Sequence, residues 1–137
     1  MIVFSAVYTS PIILQENAPK AIILAAQDLQ RDLRRLSGKK SGFDFSSTSE
    51  QGIQITTIPG DRPESYTVSV DESRVRITGT DVLGTVYGIY AFSQQCLGIL
   101  PMHAFMDIFP NTQKSMELSP TTFSSNPRAV RFRGWFL

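Results

Sequence analysis

Arg74-Val-Arg-Ile-Thr-Gly-Thr-Asp-Val-Leu-Gly-Thr-Val-Tyr-Gly-Ile-Tyr90 changes its hydrophobic period part-way along. Val75 and Ile77 alternate with Arg74, Arg76 and Thr78, the pattern of a strand with one buried face. From Val82 the apolar positions Val82, Val86, Ile89, Tyr90 and Leu97 follow helical spacing, with Asp81 or Thr80 as the cap and Gly98 as the stop. The junction, Gly79-Thr-Asp-Val-Leu-Gly84, lies where phosphates bind in many strand-to-helix turns. It lacks the Lys-Ser/Thr of a P-loop and the spacing of a dinucleotide fingerprint, so it reads as a tight turn. Gly84 and Gly88 lie one turn apart, and each costs about 1 kcal/mol of helix propensity against Ala. The compensation expected is close approach of helix to sheet.

Upstream, Ser65–Val70 places Tyr66, Val68 and Val70 on one side, and Asp71-Glu-Ser73 reads as the hairpin loop into the strand at Arg74. Gly52–Ile58 alternates in the same way, and Pro59–Pro63 is a turn-rich connection. Between Lys39 and Glu50 the chain is polar, with a short strand expected around Phe43 and Phe45. Ile22, Ala25, Ala26, Leu29, Leu33 and Leu36 form the apolar stripe of a first helix. Asn17 is the candidate N-cap, Pro19 fits the first turn, and Gly38 fits the stop after Arg34 and Arg35. Ile2–Tyr8 and Ile12–Leu14 are β-prone, split by Thr9-Ser-Pro11. Pro11 argues against one continuous central strand and makes the second piece an edge strand or bend.

Downstream, Ile99–Pro127 has no sustained period, is punctuated by Pro101, Pro110, Pro120 and Pro127, and carries an apolar patch over Phe105–Phe109. Its apolar content suits an ordered connector laid on a surface. Ala129–Leu137 reads as a strand rich in Phe and Trp. Arg128, Arg131 and Arg133 interleave there with Phe132 and Trp135, which suits sugar hydroxyls and carboxylates but equally suits an edge strand with solvated arginines.

Composition narrows the function classes. The chain has 137 residues, 42% apolar and 18% charged, enough for one domain with a real core and unlike a disordered segment. A net charge of +1 gives no footprint for nucleic acid, and no run is apolar enough for a membrane span. One Cys and one His exclude an intramolecular disulfide and the usual Cys/His zinc cages. Met1–Tyr8 lacks the positive n-region and cleavage site of a signal peptide. His103 has no nucleophile motif beside it, and Cys96 in an apolar helix reads as a buried, inert thiol. Asp28 and Asp32 read as a solvated helix flank with Arg31 and Arg35. Asp71 and Glu72 sit in a hairpin loop. No catalytic constellation emerges from these residues.

Ala25-Ala-Gln-Asp-Leu-Gln-Arg-Asp-Leu33 with Leu36-Ser-Gly38, Glu64–Val70, Val75–Gly79, Gly84–Tyr90 and Leu97-Gly98, in that order, resemble an accessory domain that precedes several glycoside hydrolase barrels. The nearest resemblance is to the amino-terminal domain of family 115 xylan α-glucuronidases, with related domains in families 67 and 20. The resemblance implies an α+β fold: a mostly antiparallel or mixed β-sheet with two α-helices packed on one face. It implies an accessory domain over residues 1–98, an ordered connector over 99–128, and over 129–137 the first strand of a (β/α)8 catalytic barrel that lies beyond this chain. In such barrels the chemistry sits at the carboxyl ends of the strands. Arg133 matches an arginine that binds substrate hydroxyls. No catalytic residue, metal ligand or cofactor is implied for the chain itself. The implied partners are the chain's own carboxy-terminal barrel and a carbohydrate substrate, with no nucleic acid and no membrane, and the implied location is periplasmic or secreted. The alternatives are a stand-alone carbohydrate-binding module stacking sugars on Tyr66, Tyr87, Tyr90 or Trp135, and an α+β interaction domain with no link to sugars. Tyr87 and Tyr90 are expected in the core.

Overall fold

A computed structural model describes residues 2–5, 8–39, 41–45, 51–98 and 115–125. The elements are β1 (Ile2–Phe4), β2 (Ile12–Leu14), α1 (Lys20–Ser37), β3 (Phe43–Asp44), β4 (Gly52–Thr57), β5 (Tyr66–Val70), β6 (Arg74–Gly79), α2 (Val82–Cys96), β7 (Met116–Glu117) and β8 (Thr121–Ser124). Six strands form one sheet in the order β3-β2-β4-β6-β5-β8, and β1 pairs with β7 in a separate two-stranded sheet. The large sheet is mixed. β2 runs parallel to β3 and β4, and β4 parallel to β6. β5 is antiparallel to both β6 and β8. The expected α+β class, with both helices on one face of a mixed sheet, is what the chain adopts.

Alternation decides which sheet face is covered. Ile53, Ile55, Val68, Val70, Val75 and Ile77 are all buried, and they join the helix residues Ile22, Ala25, Ala26, Leu29, Leu33, Leu36, Ile89 and Phe92 in one core. The opposite face carries Gln54, Thr56, Thr67, Ser69, Arg76 and Thr78, none of them fully buried. The register aligns Gln54, Arg76, Ser69 and Thr122 in one row across that open face, and the row continues into the buried Ile13 on β2.

The stripe expected on α1 is the buried one, and Gly38 ends the helix in the left-handed region, its N–H donating to Arg34 O at 2.7 Å. Its start differs from expectation. Pro19, not Asn17, occupies the cap position, and its carbonyl accepts from the N–H groups of Ile22 and Ile23. β2 also differs. It lies between β3 and β4 rather than at an edge, and Ile12, Ile13 and Leu14 are all buried. Pro11 stands just before the strand, where its missing N–H breaks no ladder bond, and its carbonyl accepts from Ile53 N at 2.9 Å. A short, wholly apolar run is the mark of a strand covered on both faces.

The segment after α2 holds strands the sequence did not announce. Thr121–Ser124 adds to β5, and Phe123 lies opposite Val68 and packs against the core. Met116–Glu117 pairs with β1, whose Val3 and Phe4 enter the core. Residues 99–114 of the expected connector, and the expected barrel strand 129–137, lie outside the described residues.

The junction glycines are tightly enclosed. A Cβ on Gly84 would lie 2.2 Å from the carbonyl oxygen of Ser65, and one on Gly79 would lie 2.2 Å from Thr85 N. At Gly88 it would meet Ile77 Cγ2 at 2.9 Å and Tyr66 Cβ at 3.1 Å. Gly84→Ala gains helix propensity yet has to displace backbone, so it should destabilise by about 2–3 kcal/mol in urea unfolding. Gly42, with nothing within 4 Å, is the control; Gly42→Ala should leave stability within about 0.5 kcal/mol of the parent. Equal midpoints for the two variants would contradict the close approach.

Candidate functional site

The β6–α2 junction is a hydrogen-bonded clasp. Asp81 caps α2, its Oδ1 accepting from Gly84 N at 2.7 Å and its Oδ2 from Glu64 N at 2.8 Å. Its backbone carbonyl accepts from both the N–H and the hydroxyl of Thr85. Thr80 Oγ1 donates to Arg62 O at 2.6 Å, and the Thr57 and Thr85 hydroxyls share a hydrogen bond of 2.7 Å. The N–H groups of Gly84 and Thr85 are thus turned toward Asp81's own oxygens, which fits the structural turn its sequence indicated.

Among the described residues, no two carboxylates form an acid–base pair with separated environments. Asp28 contacts Arg31 at 3.3 Å on the outer side of α1. Asp32, expected on a solvated flank, is instead buried, its side chain 4% exposed and 3.6 Å from Arg31. The stripe through Leu29 and Leu33 is wide enough to draw position 32 under the surface, and Arg31 follows it with a charge. Cys96 is half-buried, and burial pushes its thiol pKa up, which disfavours the thiolate.

Tyr90 is 39% exposed, a correction to its expected place in the core. Its hydroxyl donates to Asp28 Oδ2 at 2.6 Å, linking α2 to α1. Tyr66 is half-buried against the core and beside Gly88, and Tyr87 is half-buried on α2. These tyrosines do not present open faces together. Trp135, His103, Arg128, Arg131 and Arg133 lie outside the described residues.

The structure brings together a set of residues the sequence reading did not assemble. A cavity of about 580 Å³ opens at the carboxyl ends of β2 and β4, lined by Ile13, Leu14, Gln15, Glu16, Asn17, Phe45, Gln54, Ile55 and Thr56. The topology creates it. The chain leaves β2 toward β3 and leaves β4 toward β6 and β5, so the two connections diverge across the sheet. Crevices of this kind, outside diverging parallel strands, are where open sheets bind ligands. Gln15 Oε1 accepts from Thr57 N at 3.0 Å, fixing the amide at the rim. Phe45, just past β3, is 44% exposed. The signal in the sequence was composition alone, amides and a carboxylate following a buried strand, and it needed the β2–β4 pairing to gain meaning.

No family model and no curated protein sequence matches the chain. Solved structures do. The chain is similar to a family 115 4-O-methyl-α-glucuronidase with specificity for decorated arabinogalactans, at 20% identity and a TM-score of 0.72, over 85% of this chain and 17% of that one. It is also similar to a family 138 enzyme targeting pectin rhamnogalacturonan II, at 14% identity and a TM-score of 0.53, over 82% of this chain and 11% of that one. A family 20 β-N-acetylhexosaminidase from Streptomyces coelicolor A3(2) matches at 17% identity and a TM-score of 0.55, over 66% of this chain and 17% of that one. The chain therefore has the fold of a domain present in glycoside hydrolases, in two of the families its sequence resembles, and spans only a small part of the length of these enzymes.

Burial, then the hydrogen bond to Asp28 and that carboxylate's charge, raises the Tyr90 pKa well above the ordinary phenol value, while Arg31 pulls the other way. In an alkaline absorbance titration Tyr90, identified by difference with Tyr90→Phe, should ionise above the ordinary phenol range. Asp28→Asn removes the charge and should bring that step down toward, but not to, the free value of about 10, since burial remains. An unmoved step would refute the Tyr90–Asp28 contact.

Proposed function

We propose that this chain is a non-catalytic accessory domain of a glycoside hydrolase, and that it packs against that enzyme's own catalytic barrel. The similarity to three hydrolase families over most of this chain and a small fraction of theirs supports the reading. The observation that carries it is the outer face of the helix layer. A surface helix ordinarily turns a polar face to solvent. α2 does not. Leu83, Tyr87 and Tyr90 follow one another at helical spacing on its outer side, with Leu83 46% exposed, and Leu24 on α1 is 50% exposed. Apolar side chains grouped in this way mark a surface made for a partner.

The expected place of the chemistry is the barrel, with Arg133 on its first strand donating to substrate hydroxyls and a polysaccharide or oligosaccharide, α-glucuronidase-like, as substrate. A periplasmic or secreted location fits such substrates. The purified 137-residue chain should release no nitrophenol from aryl α-glucuronides or β-N-acetylhexosaminides, and no reducing ends from glucuronoxylan or arabinogalactan. In the barrel-bearing polypeptide, Leu24→Lys with Leu83→Lys should lower the melting temperature by a few degrees while leaving that of the isolated chain unchanged. Hydrolysis by the isolated chain, or indifference of the longer protein to the double substitution, would overturn the reading.

A further inference from the structure

The cavity beyond β2 and β4 has no part in helix-face docking, and its lining selects a ligand class. Gln15, Asn17 and Gln54 are amides, each able both to donate and to accept, and Thr56 adds a hydroxyl. Glu16 adds an acceptor for hydroxyl donors. Phe45 offers a part-exposed ring at the same opening, an apolar face against which the C–H side of a sugar ring can lie. No Lys or Arg is among the lining residues, so nothing there neutralises a phosphate or a uronate, and Glu16 would repel both. One carboxylate is too few for a divalent cation, which takes several oxygen ligands. A wholly apolar ligand would leave the amides and the carboxylate desolvated without partners. What remains is a ligand dense in neutral hydroxyl groups.

We propose that this cavity is a binding site for a neutral oligosaccharide segment, with Phe45 as the stacking platform and Gln15, Asn17 and Gln54 as the hydroxyl-reading groups. The volume of about 580 Å³ falls within the range of small-molecule sites. The opening adjoins the open face of the sheet at Gln54 and Thr56, both part-exposed, which leaves room for a chain of sugars to extend past it. The site borrows from the proposed function only the carbohydrate class, and it would hold a neutral stretch of a polymer while the enzyme acts elsewhere on it.

The test is an amide-resolved NMR titration of the chain with xylotetraose and with a β-galacto-oligosaccharide, using trigalacturonate as the charged comparison. At least one neutral ligand should move resonances at positions 13–17, 45 and 54–56, and trigalacturonate should move them far less. Phe45→Ala, at an exposed position, should weaken binding about fivefold to tenfold, the share of one aromatic contact. Gln54→Leu, close to isosteric, should weaken it comparably, with circular dichroism unchanged for both variants. Absence of shifts with both neutral ligands, shifts centred elsewhere, or unaltered affinity in both variants overturns the site. Those failures leave the accessory-domain reading standing, whereas hydrolysis by the isolated chain removes that reading and leaves the cavity result intact.

Discussion

Asp81 stands where the end of β6, the start of α2 and the loop entering β5 meet, and its carboxylate holds the last two together through Gly84 N and Glu64 N. That clasp can close only because Gly84 offers no side chain, its missing Cβ being replaced by the Ser65 carbonyl. The same condition repeats one turn on, where Gly88 admits Ile77 and Tyr66, and one step back, where Gly79 admits Thr85. Each glycine is a poor helix or strand former. Together they let α2 rest on β4, β5 and β6, so that Ile89 and Phe92 reach the core floor completely. The local cost is offset by burial of a continuous apolar layer.

The rest of the arrangement follows from the depth of α2. α1 has to lie beside it and over β2, because Ile22, Ala25, Leu29 and Leu36 need the same apolar floor. The helices become one layer, and Tyr90 to Asp28 ties their outer edges. Gly84 and Gly88 face the sheet, and the helical period places Leu83 and Tyr90 away from them. Seated on the glycines, α2 turns Leu83 and Tyr90 out, which is why the chain presents an apolar outer surface despite having a filled core. The clasp that closes the interior therefore also orients the surface proposed above to meet a barrel.

Both helices, the β5–β6 hairpin and the alternating face of β4 were legible because each rests on local periodicity. So was the purpose of Gly84 and Gly88, since an unpaid helix cost implies a packing return. The place of β2 was not. Three apolar residues after a proline say that a segment is buried but not which strands flank it, and the flanking strands come from residues 43–44 and 52–57. β8 was hidden for another reason. An edge strand needs only one apolar contact, here Phe123, and its threonines and serine face outward with no period to read. Asp32 was misread because charge suggested solvent, while its position on α1 lay within the buried arc. The cavity was invisible for the same reason as β2: Gln15, Phe45 and Gln54 are far apart in sequence and become neighbours only through non-local pairing.

The two proposed surfaces fall at different places for a physical reason. A two-layer sandwich has one covered sheet face, one open sheet face and a layer of helices. Docking a large partner demands apolar area, and among the described residues the helix layer groups Leu24, Leu83 and Tyr90, while the open sheet face carries Gln54, Arg76, Ser69 and threonines. Recognising hydroxyls demands polar groups held rigidly, and rigid polar groups occur where strands end. Gln15 meets that need through Thr57, and Gln54 through its place inside a parallel ladder. A partner on the helix layer leaves the strand ends and the open face accessible, so an enzyme that used this domain as a brace would retain its sugar-sized opening. The division of labour between brace and binding site then needs no change in the fold, only an oligosaccharide long enough to span from this crevice to the catalytic centre.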